Sequence, residues 1–326
     1  MFGVSAAAAL GSSELSAPLY VAWQLTNECN LACLHCIEES GPGKAFPDEL
    51  GREQYLSVLN QIIEAKVPYL CFSGGEPMGH PGFWDLVERA TGAGIGLKVE
   101  TNGHSLVPRS CARLKALGVQ SVQISMDGVT PASYGKLRVH GRWENALEAV
   151  RNLRAAGVEV EVNFSPTRFN VHEVGRAIDL ARSLGAVGFY TGRTIRAGNA
   201  ARSWELIAPS EEQYAEYFAT VRAKALELEG RMRVCYHELG LLEELKYRLE
   251  NPAAILIILP NGKVKLINAL PFVCGDLRRQ TLSEVWGGFR RGWLRPEVAG
   301  FVAELEKDPT VIRRIHEWVE LGLAAK

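Results

Sequence analysis

Short apolar runs alternate with helix-spaced apolar positions along the first two thirds of the chain. The apolar runs predict six strands, at 19–26, 68–75, 95–103, 119–128, 158–167 and 186–193. Helical spacing lies between them, at 52–66, 80–94, 105–118, 142–157 and 171–185. Six β-α repeats predict a parallel sheet with helical crossovers, either doubly wound or an incomplete barrel.

The pattern changes after Pro209. A helix capped by Ser210 is predicted over 210–230, and 231–236 is a candidate strand. The segment 254–268 predicts a hairpin, because two β-rich runs flank Asn261-Gly262.

Thr281 and Glu284 form a capping-box pattern at the start of a short helix, 281–289. The last 25 residues predict mostly charged helix. We therefore divide the chain into a leader (1–16), an α/β core (17–205) and a small α+β extension with terminal helices (206–326).

Charge and composition exclude several classes of protein. The 326 residues carry 36 basic and 37 acidic side chains, so no global field favours nucleic acid or an anionic membrane. No run reaches the roughly 18 apolar residues of a membrane span, and the leader lacks the basic start of a signal peptide. Seven cysteines are an odd number for a disulfide framework, which favours a reducing cytoplasm.

Three of those cysteines lie within eight residues, directly after the first strand: Cys29, Cys33 and Cys36. A closed zinc site needs four ligands, whereas a four-iron cluster held by three thiolates keeps one iron open for a small molecule. A zinc site completed by His35 or His80 is the alternative. It leaves the glycine-rich motif of the next strand unexplained.

Polar and glycine-rich positions end the later strands: Gly74, Gly75, Glu76, Pro77, Asn102, Ser125, Asp127, Asn163 and Arg193. A parallel sheet brings these ends to one face. Glu76 is an anion suited to an ammonium group, and the two glycines before it let backbone approach a ligand. Ser125 and Asp127 suit ribose hydroxyls. Around an open iron, the set predicts a site for a zwitterionic nucleoside.

Cys-x3-Cys-x2-Cys after the first strand and Gly-Gly-Glu-Pro after the second resemble the radical S-adenosylmethionine (radical SAM) superfamily over about residues 17–195. The resemblance implies a partial (β/α)6 TIM-type barrel and one [4Fe–4S] cluster on the three cysteines. It also implies that SAM binds the open iron and is cleaved to a 5′-deoxyadenosyl radical, which abstracts a hydrogen atom from substrate. By the same resemblance, Glu76 and its neighbours meet the methionyl amine, and Ser125 and Asp127 the ribose. His35 stands where the family usually has an aromatic residue.

The C-terminal part resembles the SPASM or twitch extension of radical SAM enzymes, through 260–262, 275–278 and 282–286. The cysteines that hold auxiliary clusters in that extension are missing. Only Cys235 and Cys274 remain there, so we expect no auxiliary cluster. Either thiol is a candidate hydrogen-atom donor to a substrate radical, or a small buried hydrophobe.

The predicted function is a radical SAM enzyme acting on a small biosynthetic substrate such as a sugar or nucleoside, by redox-neutral or hydrogen-return chemistry. About 20 residues precede the first strand, too few for a leader-peptide-binding domain, which favours a small substrate. A peptide maturase (epimerase or cross-linking enzyme) is the alternative, and an iron–sulfur or zinc regulatory protein is the non-enzyme alternative. Besides substrate, the expected partner is an external one-electron donor such as flavodoxin or ferredoxin.

Overall fold

The computed structural model describes residues 15–322, so almost all of the predicted leader lies outside the described residues. The strands are β1 (Tyr20–Gln24), β2 (Tyr69–Ser73), β3 (Gly96–Thr101), β4 (Ser121–Ser125), β5 (Glu159–Phe164), β6 (Gly188–Gly192), β7 (Arg233–His237), β8 (Ile255–Ile258), β9 (Lys263–Lys265), β10 (Phe272–Asp276) and β11 (Val319–Glu320).

The helices of the core are α1 (Arg52–Glu64), α2 (Phe83–Gly92), α3 (Pro108–Ala116), α4 (Pro131–Leu137), α5 (Trp143–Ala155), α6 (Val174–Ser183), α7 (Gly198–Arg202) and α8 (Trp204–Ile207). Those of the C-terminal part are α9 (Glu211–Glu227), α10 (Leu241–Glu250), α11 (Leu282–Gly292) and α12 (Pro296–Lys307). No helix between residues 15 and 322 is both long and apolar enough to cross a membrane.

The strands form one sheet in the order β11-β10-β9-β8-β1-β2-β3-β4-β5-β6-β7. The six predicted strands lie side by side and parallel, as β1 to β6. Two further parallel strands extend this arc, because β7 pairs with β6 and β8 pairs with β1. Within the described residues β7 and β8 do not pair, so the barrel is open between them. The predicted α/β partial barrel is confirmed.

Turn and capping motifs in the C-terminal part of the sequence correctly predicted a hairpin and the starts of two helices. β8 and β9 form the antiparallel hairpin predicted around Asn261-Gly262. The Ser210 hydroxyl accepts a hydrogen bond from the Gln213 amide at the start of α9. Thr281 and Glu284 form the predicted capping box of α11.

The helix predicted over the last 25 residues is divided in the structure. α12 ends at Lys307, and a 3₁₀ segment (Pro309–His316) and β11 follow it. Asp308 interrupts the α-helix, because its carboxylate accepts a hydrogen bond from the Thr310 amide and Pro309 supplies no amide hydrogen.

The two faces of the barrel sheet differ in chemistry. On β3, Leu97 and Val99 are fully buried against the helices, whereas Lys98 and Glu100 alternate with them on the concave face. One hydrophobic core joins residues from both sides of position 205. The predicted boundary between 17–205 and 206–326 therefore falls within a continuous sheet and core. The division into two domains stays a prediction.

Candidate metal centre at the strand ends

The three clustered cysteines lie on residues 25–45, the cysteine loop, which follows the carboxyl end of β1. Backbone hydrogen bonds tie this loop to three other parts of the core. They join Gly75 N to Thr26 O (2.7 Å), Glu76 N to Glu28 O (2.9 Å), Ala32 N to Val139 O (3.1 Å), Leu34 N to Leu137 O (2.9 Å) and Asn199 N to Cys36 O (2.9 Å). The loop is therefore fixed by the segments that follow β2, β4 and β6.

The two glycines of the Gly-Gly-Glu-Pro turn are required by this packing. A Cβ on Gly75 would lie 2.1 Å from the carbonyl oxygen of Glu28, and one on Gly74 would lie 2.4 Å from that of Thr26. Gly74 also has a φ of +122°, which favours glycine. Glycine is thus needed at both positions because the turn packs directly against the cysteine loop. The sequence suggested a different reason, the close approach of the backbone to a ligand. Their contact with SAM stays a prediction.

Hydrogen-bond donors are directed at two of the three sulfur atoms. The Leu31 amide lies 3.4 Å from Cys29 Sγ, and the Asn102 side-chain amide lies 3.8 Å from it. A guanidinium nitrogen of Arg138 lies 3.7 Å from Cys33 Sγ. Such donors stabilise the thiolate form that binds a metal, and in iron–sulfur proteins they tune the cluster.

Burial raises the pKa of all three thiols, and that of Cys33 to about 12. A bound cation removes this penalty, because a coordinating thiol loses its proton. One buried and two half-buried thiols, two of them with donors directed at their sulfur atoms, fit an anionic iron–sulfur cluster.

The histidines of the zinc alternative are directed elsewhere. His35 Nε2 lies 2.9 Å from the Asp127 carboxylate, and His80 Nδ1 accepts a hydrogen bond from the Gly82 amide at 3.1 Å. Across residues 15–322, no three His, Cys, Asp or Glu side chains gather around a position for a single metal ion.

Asp127 is fully buried and is the centre of an ion-pair network under the cysteine loop. Its carboxylate contacts Arg138 at 2.6 Å and His35 at 2.9 Å, and it accepts a hydrogen bond from the Ser165 amide at 2.7 Å. Burial alone would raise its pKa, but Arg138 and His35 hold that pKa well below its usual range. These contacts occupy the carboxylate within the protein, and the predicted contact of Asp127 with ribose stays a prediction.

Arg138 was missed by sequence reasoning. It follows α4, a short helix that contains Gly135 and that the sequence pattern did not predict. Its charged surroundings suggest a solvated surface, yet it is 7% exposed and joins Asp127 to Cys33. No local signal marks it, because its burial depends on the cysteine loop more than 100 residues away.

Glu76 holds the Gly-Gly-Glu-Pro turn against the end of β3. Its carboxylate accepts hydrogen bonds from the Thr101 hydroxyl (2.7 Å), the Asn102 amide (3.0 Å) and the Met78 amide (3.2 Å). Burial raises its pKa, and these three donors oppose the rise. A carboxylate has about four acceptor positions, so at most one remains for the predicted ammonium group. Pro77 follows as the first residue of a 3₁₀ turn.

Ser125 and Asn163 are in register at the ends of β4 and β5, half-buried on the concave face. Their contact with SAM stays a prediction. Arg193 is placed differently: its guanidinium pairs with Glu211 at 2.8 Å and stacks 4.3 Å from the ring centroid of Tyr214. In this structure Arg193 joins the end of β6 to α9, and its predicted contact with the cofactor stays a prediction.

The two C-terminal cysteines lie in different surroundings. Cys274 is 2% exposed on β10, and its thiol donates to the Val264 carbonyl at 3.4 Å. It is a core residue in the outer part of the sheet. Its candidacy as a hydrogen-atom donor, which this burial disfavours, stays a prediction. Cys235 is half-buried on β7, in register with Tyr190 of β6.

The concave face between the strands is charged. Lys98 lies 2.9 Å from Glu161, and Arg233 lies 3.1 Å from the same carboxylate. The Tyr190 hydroxyl donates to Glu161 at 3.1 Å. Cys235 and Tyr190 therefore border a polar barrel interior.

Residues 23–181 match the family model of the Radical SAM superfamily. The matched range contains all three clustered cysteines, the Gly-Gly-Glu-Pro turn and Asp127. Members of this superfamily use a [4Fe–4S] cluster and SAM, as the sequence predicted, and the buried thiols and their donors fit that cluster.

Similar curated proteins include mycofactocin maturase MftC of Mycobacterium ulcerans, 36% identical over 211 residues, which are 64% of this chain and 56% of the relative. The chain thus spans about half the length of that maturase. The AdoMet-dependent heme synthase of Methanosarcina barkeri is 26% identical over 289 residues, 83% of this chain and 82% of the relative.

Solved structures share the fold. Streptococcus suis SuiB bound to S-adenosylmethionine has a TM-score of 0.70 at 13% identity, over 84% of this chain and 67% of that one. anSMEcpe with bound AdoMet has a TM-score of 0.64 at 16% identity, over 84% of this chain and 83% of that one.

Proposed function

We propose that the protein is a radical SAM enzyme whose single [4Fe–4S] cluster is held by Cys29, Cys33 and Cys36. The observation that carries the proposal is the fixed cysteine loop at the carboxyl end of β1, with donors from Leu31 and Asn102 directed at Cys29 Sγ and one from Arg138 directed at Cys33 Sγ. The bound cluster supplies the electron that cleaves SAM to methionine and a 5′-deoxyadenosyl radical, which abstracts a hydrogen atom from substrate.

The residues of the chain prepare the site for this chemistry. The Arg138 guanidinium stays charged and lies beside Cys33, where it suits a carboxylate next to the centre. Ser125 and Asn163 offer a hydroxyl and an amide to the nucleoside from adjacent strand ends. Gly74 to Pro77 border the same edge, and Glu76 orients them.

Two substrate classes are supported about equally. The relatives' names include a maturase and a heme synthase, and one SuiB structure holds a precursor peptide. A peptide and a small biosynthetic molecule therefore both remain candidates. A one-electron donor such as flavodoxin or ferredoxin in a reducing cytoplasm completes the proposal.

The proposal includes hydrogen return to the substrate radical as one reaction outcome to be tested, with Cys235 as donor. The half-buried position of this thiol beside the polar barrel interior supports that role. With the native substrate, Cys235→Ala should stop product formation while 5′-deoxyadenosine still accumulates, and wild-type product formed in D₂O should gain one deuterium. Cys274→Ala is the matched control and should turn over normally. Normal turnover of Cys235→Ala without solvent deuterium in the product would exclude hydrogen return by this thiol.

The test of the proposed function is anaerobic reconstitution followed by SAM cleavage with dithionite. Wild type should form 5′-deoxyadenosine, and Cys33→Ala should form none. Cys111→Ala, which changes a fully buried thiol in α3, is the control. SAM cleavage by Cys33→Ala at the wild-type rate would refute the assignment.

A further inference from the structure

A cavity of about 270 Å³ lies between the cysteine loop and the C-terminal part of the chain. The side chains that decide its chemistry come from both sides: Glu38, Lys44 and Phe46 from the loop side, and Lys265, His316 and Trp318 from the C-terminal part. The cavity adjoins the candidate metal centre, because Glu38 follows Cys36 by two residues and His316 Nε2 lies 3.0 Å from the Ile37 carbonyl oxygen.

Lys265 brings a buried positive charge to this cavity. It is 2% exposed, and its ammonium donates to the carbonyls of Asn268 (2.9 Å) and Ile315 (3.3 Å). Among the described residues no carboxylate lies within ion-pair distance of it. Glu38 acts on it as an opposite charge in the same cavity but does not contact it. A buried charge without an ion-pair contact is costly, and carbonyl dipoles compensate it only in part.

Two further polar atoms at the cavity lack partners. Glu38 Oε1 and Trp318 Nε1 are shielded from solvent, and neither has a hydrogen-bond partner within residues 15–322. Buried polar groups are normally hydrogen-bonded. The cavity therefore presents a cation without an ion-pair contact, an N–H donor without an acceptor and a carboxylate oxygen without a donor. Glu39 also lines the cavity, but its carboxylate is paired with Arg202 at 2.8 Å.

We propose that this cavity binds the carboxylate end of the substrate. The ammonium of Lys265 and the indole N–H of Trp318 hold the carboxylate, and Glu38 accepts a hydrogen bond from an N–H or O–H group of the same substrate. Phe46 and Trp318, whose ring centroids lie 5.5 Å apart edge to face, provide an apolar wall for the adjoining carbons. The inference rests on the proposed function and narrows its substrate to an acid.

Two probes that differ only in the acid group test this site: N-acetyl-L-leucine and N-acetyl-L-leucinamide. Each is titrated calorimetrically into the reconstituted holoenzyme with saturating SAM, so that the cofactor's own carboxylate occupies its separate site. Wild type should bind the acid about ten- to a hundredfold more tightly than the amide, the range of a charge-assisted hydrogen bond. Equal affinity, or no binding of the acid, overturns the proposal.

Two variants attribute that preference to named side chains. Lys265→Met should bind acid and amide equally, whereas Lys246→Met, which removes an exposed lysine paired with Glu306, should keep the wild-type preference. Trp318→Phe keeps the apolar wall and should bind the acid several-fold more weakly, so it decides the matter if Lys265→Met does not fold. An unchanged preference in the folded variants overturns the proposal.

The iron content and the SAM cleavage rate of the same samples separate the two proposals. Preference for the acid without a cluster or SAM cleavage would refute the proposed function alone. SAM cleavage without preference for the acid would refute the carboxylate site alone.

Discussion

Two buried charged side chains, Asp127 and Lys265, lie beside the cysteine loop. They differ in how their charges are compensated. On one side, Asp127 has Arg138 and His35 within 2.9 Å. On the other side, Lys265 and Glu38 face the same cavity without forming an ion pair. The two groups therefore differ in role. The ion pairs of Asp127 stabilise the cysteine loop, whereas Lys265, which has no ion-pair contact, is free to bind a ligand.

Removal of the compensated charge should have the largest effect. Asp127→Asn leaves the Arg138 guanidinium buried without its counter-ion, so the free energy of unfolding should fall by about 3–5 kcal/mol. Urea denaturation of the reconstituted protein measures the change. Asp85→Asn, which breaks an exposed pair with Arg89, should cost less than about 1 kcal/mol. A loss of stability no larger for Asp127→Asn than for this control would contradict the structural role of the network.

Glu76 is a third buried charged group, and it sharpens the comparison because the groups that contact its carboxylate are neutral hydrogen-bond donors. Glu76→Ala should keep the cluster absorbance but weaken SAM binding by about one to two decades, since the Gly-Gly-Glu-Pro turn loses its contacts with β3. Equilibrium titration with SAM checks this result, with Glu53→Ala in the exposed first turn of α1 as control. Wild-type affinity in Glu76→Ala would count against this role.

The charge of Lys265 should make stability depend on pH above about pH 8, where Asp127 stays ionised and contributes no change. Burial lowers the pKa of Lys265 to about 8, although Glu38 opposes the shift and His316 is the other titratable group beside it. An unfolded lysine has a pKa of about 10.4, so between these values the unfolded chain binds the proton more tightly. Stability relative to Lys265→Met should therefore rise between about pH 8 and 10, by on the order of 1–3 kcal/mol.

Denaturation midpoints at several pH values measure this gain. Lys224 is the control lysine, because Asp179 at 2.7 Å raises its pKa. Relative to Lys224→Met, wild type should show no gain over the same interval. A flat difference between wild type and Lys265→Met would mean that Lys265 is compensated after all.

The sequence predicted the six central strands of the barrel better than the two strands at its edges, β7 and β8. β1 to β6 and their helices follow from apolar periodicity, which is local. β7 was recognised only as a candidate strand, and its pairing with β6, like that of β8 with β1, depends on contacts remote in sequence. The C-terminal 3₁₀ segment was mistaken for α-helix because Asp308 and Pro309 interrupt an otherwise helical charge pattern.

At the site, residue type predicted the metal centre. It did not predict which polar side chains form ion pairs with other residues of the protein. The thiols of Cys29, Cys33 and Cys36 stand out because cysteine is rare and clustered there. Asp127 and Arg193 resemble ligand contacts in sequence, yet each is paired within the fold. Lys265 was not noticed, because a lysine in a hairpin normally faces solvent.

The iron content of the reconstituted chain tests the central claim most directly, that one cluster lies on the three cysteines of the loop. Wild type should hold about four iron atoms per chain, and the triple variant Cys29→Ala, Cys33→Ala, Cys36→Ala should hold none. A reproducible value of about eight in wild type, or iron retained by the triple variant, would contradict the account.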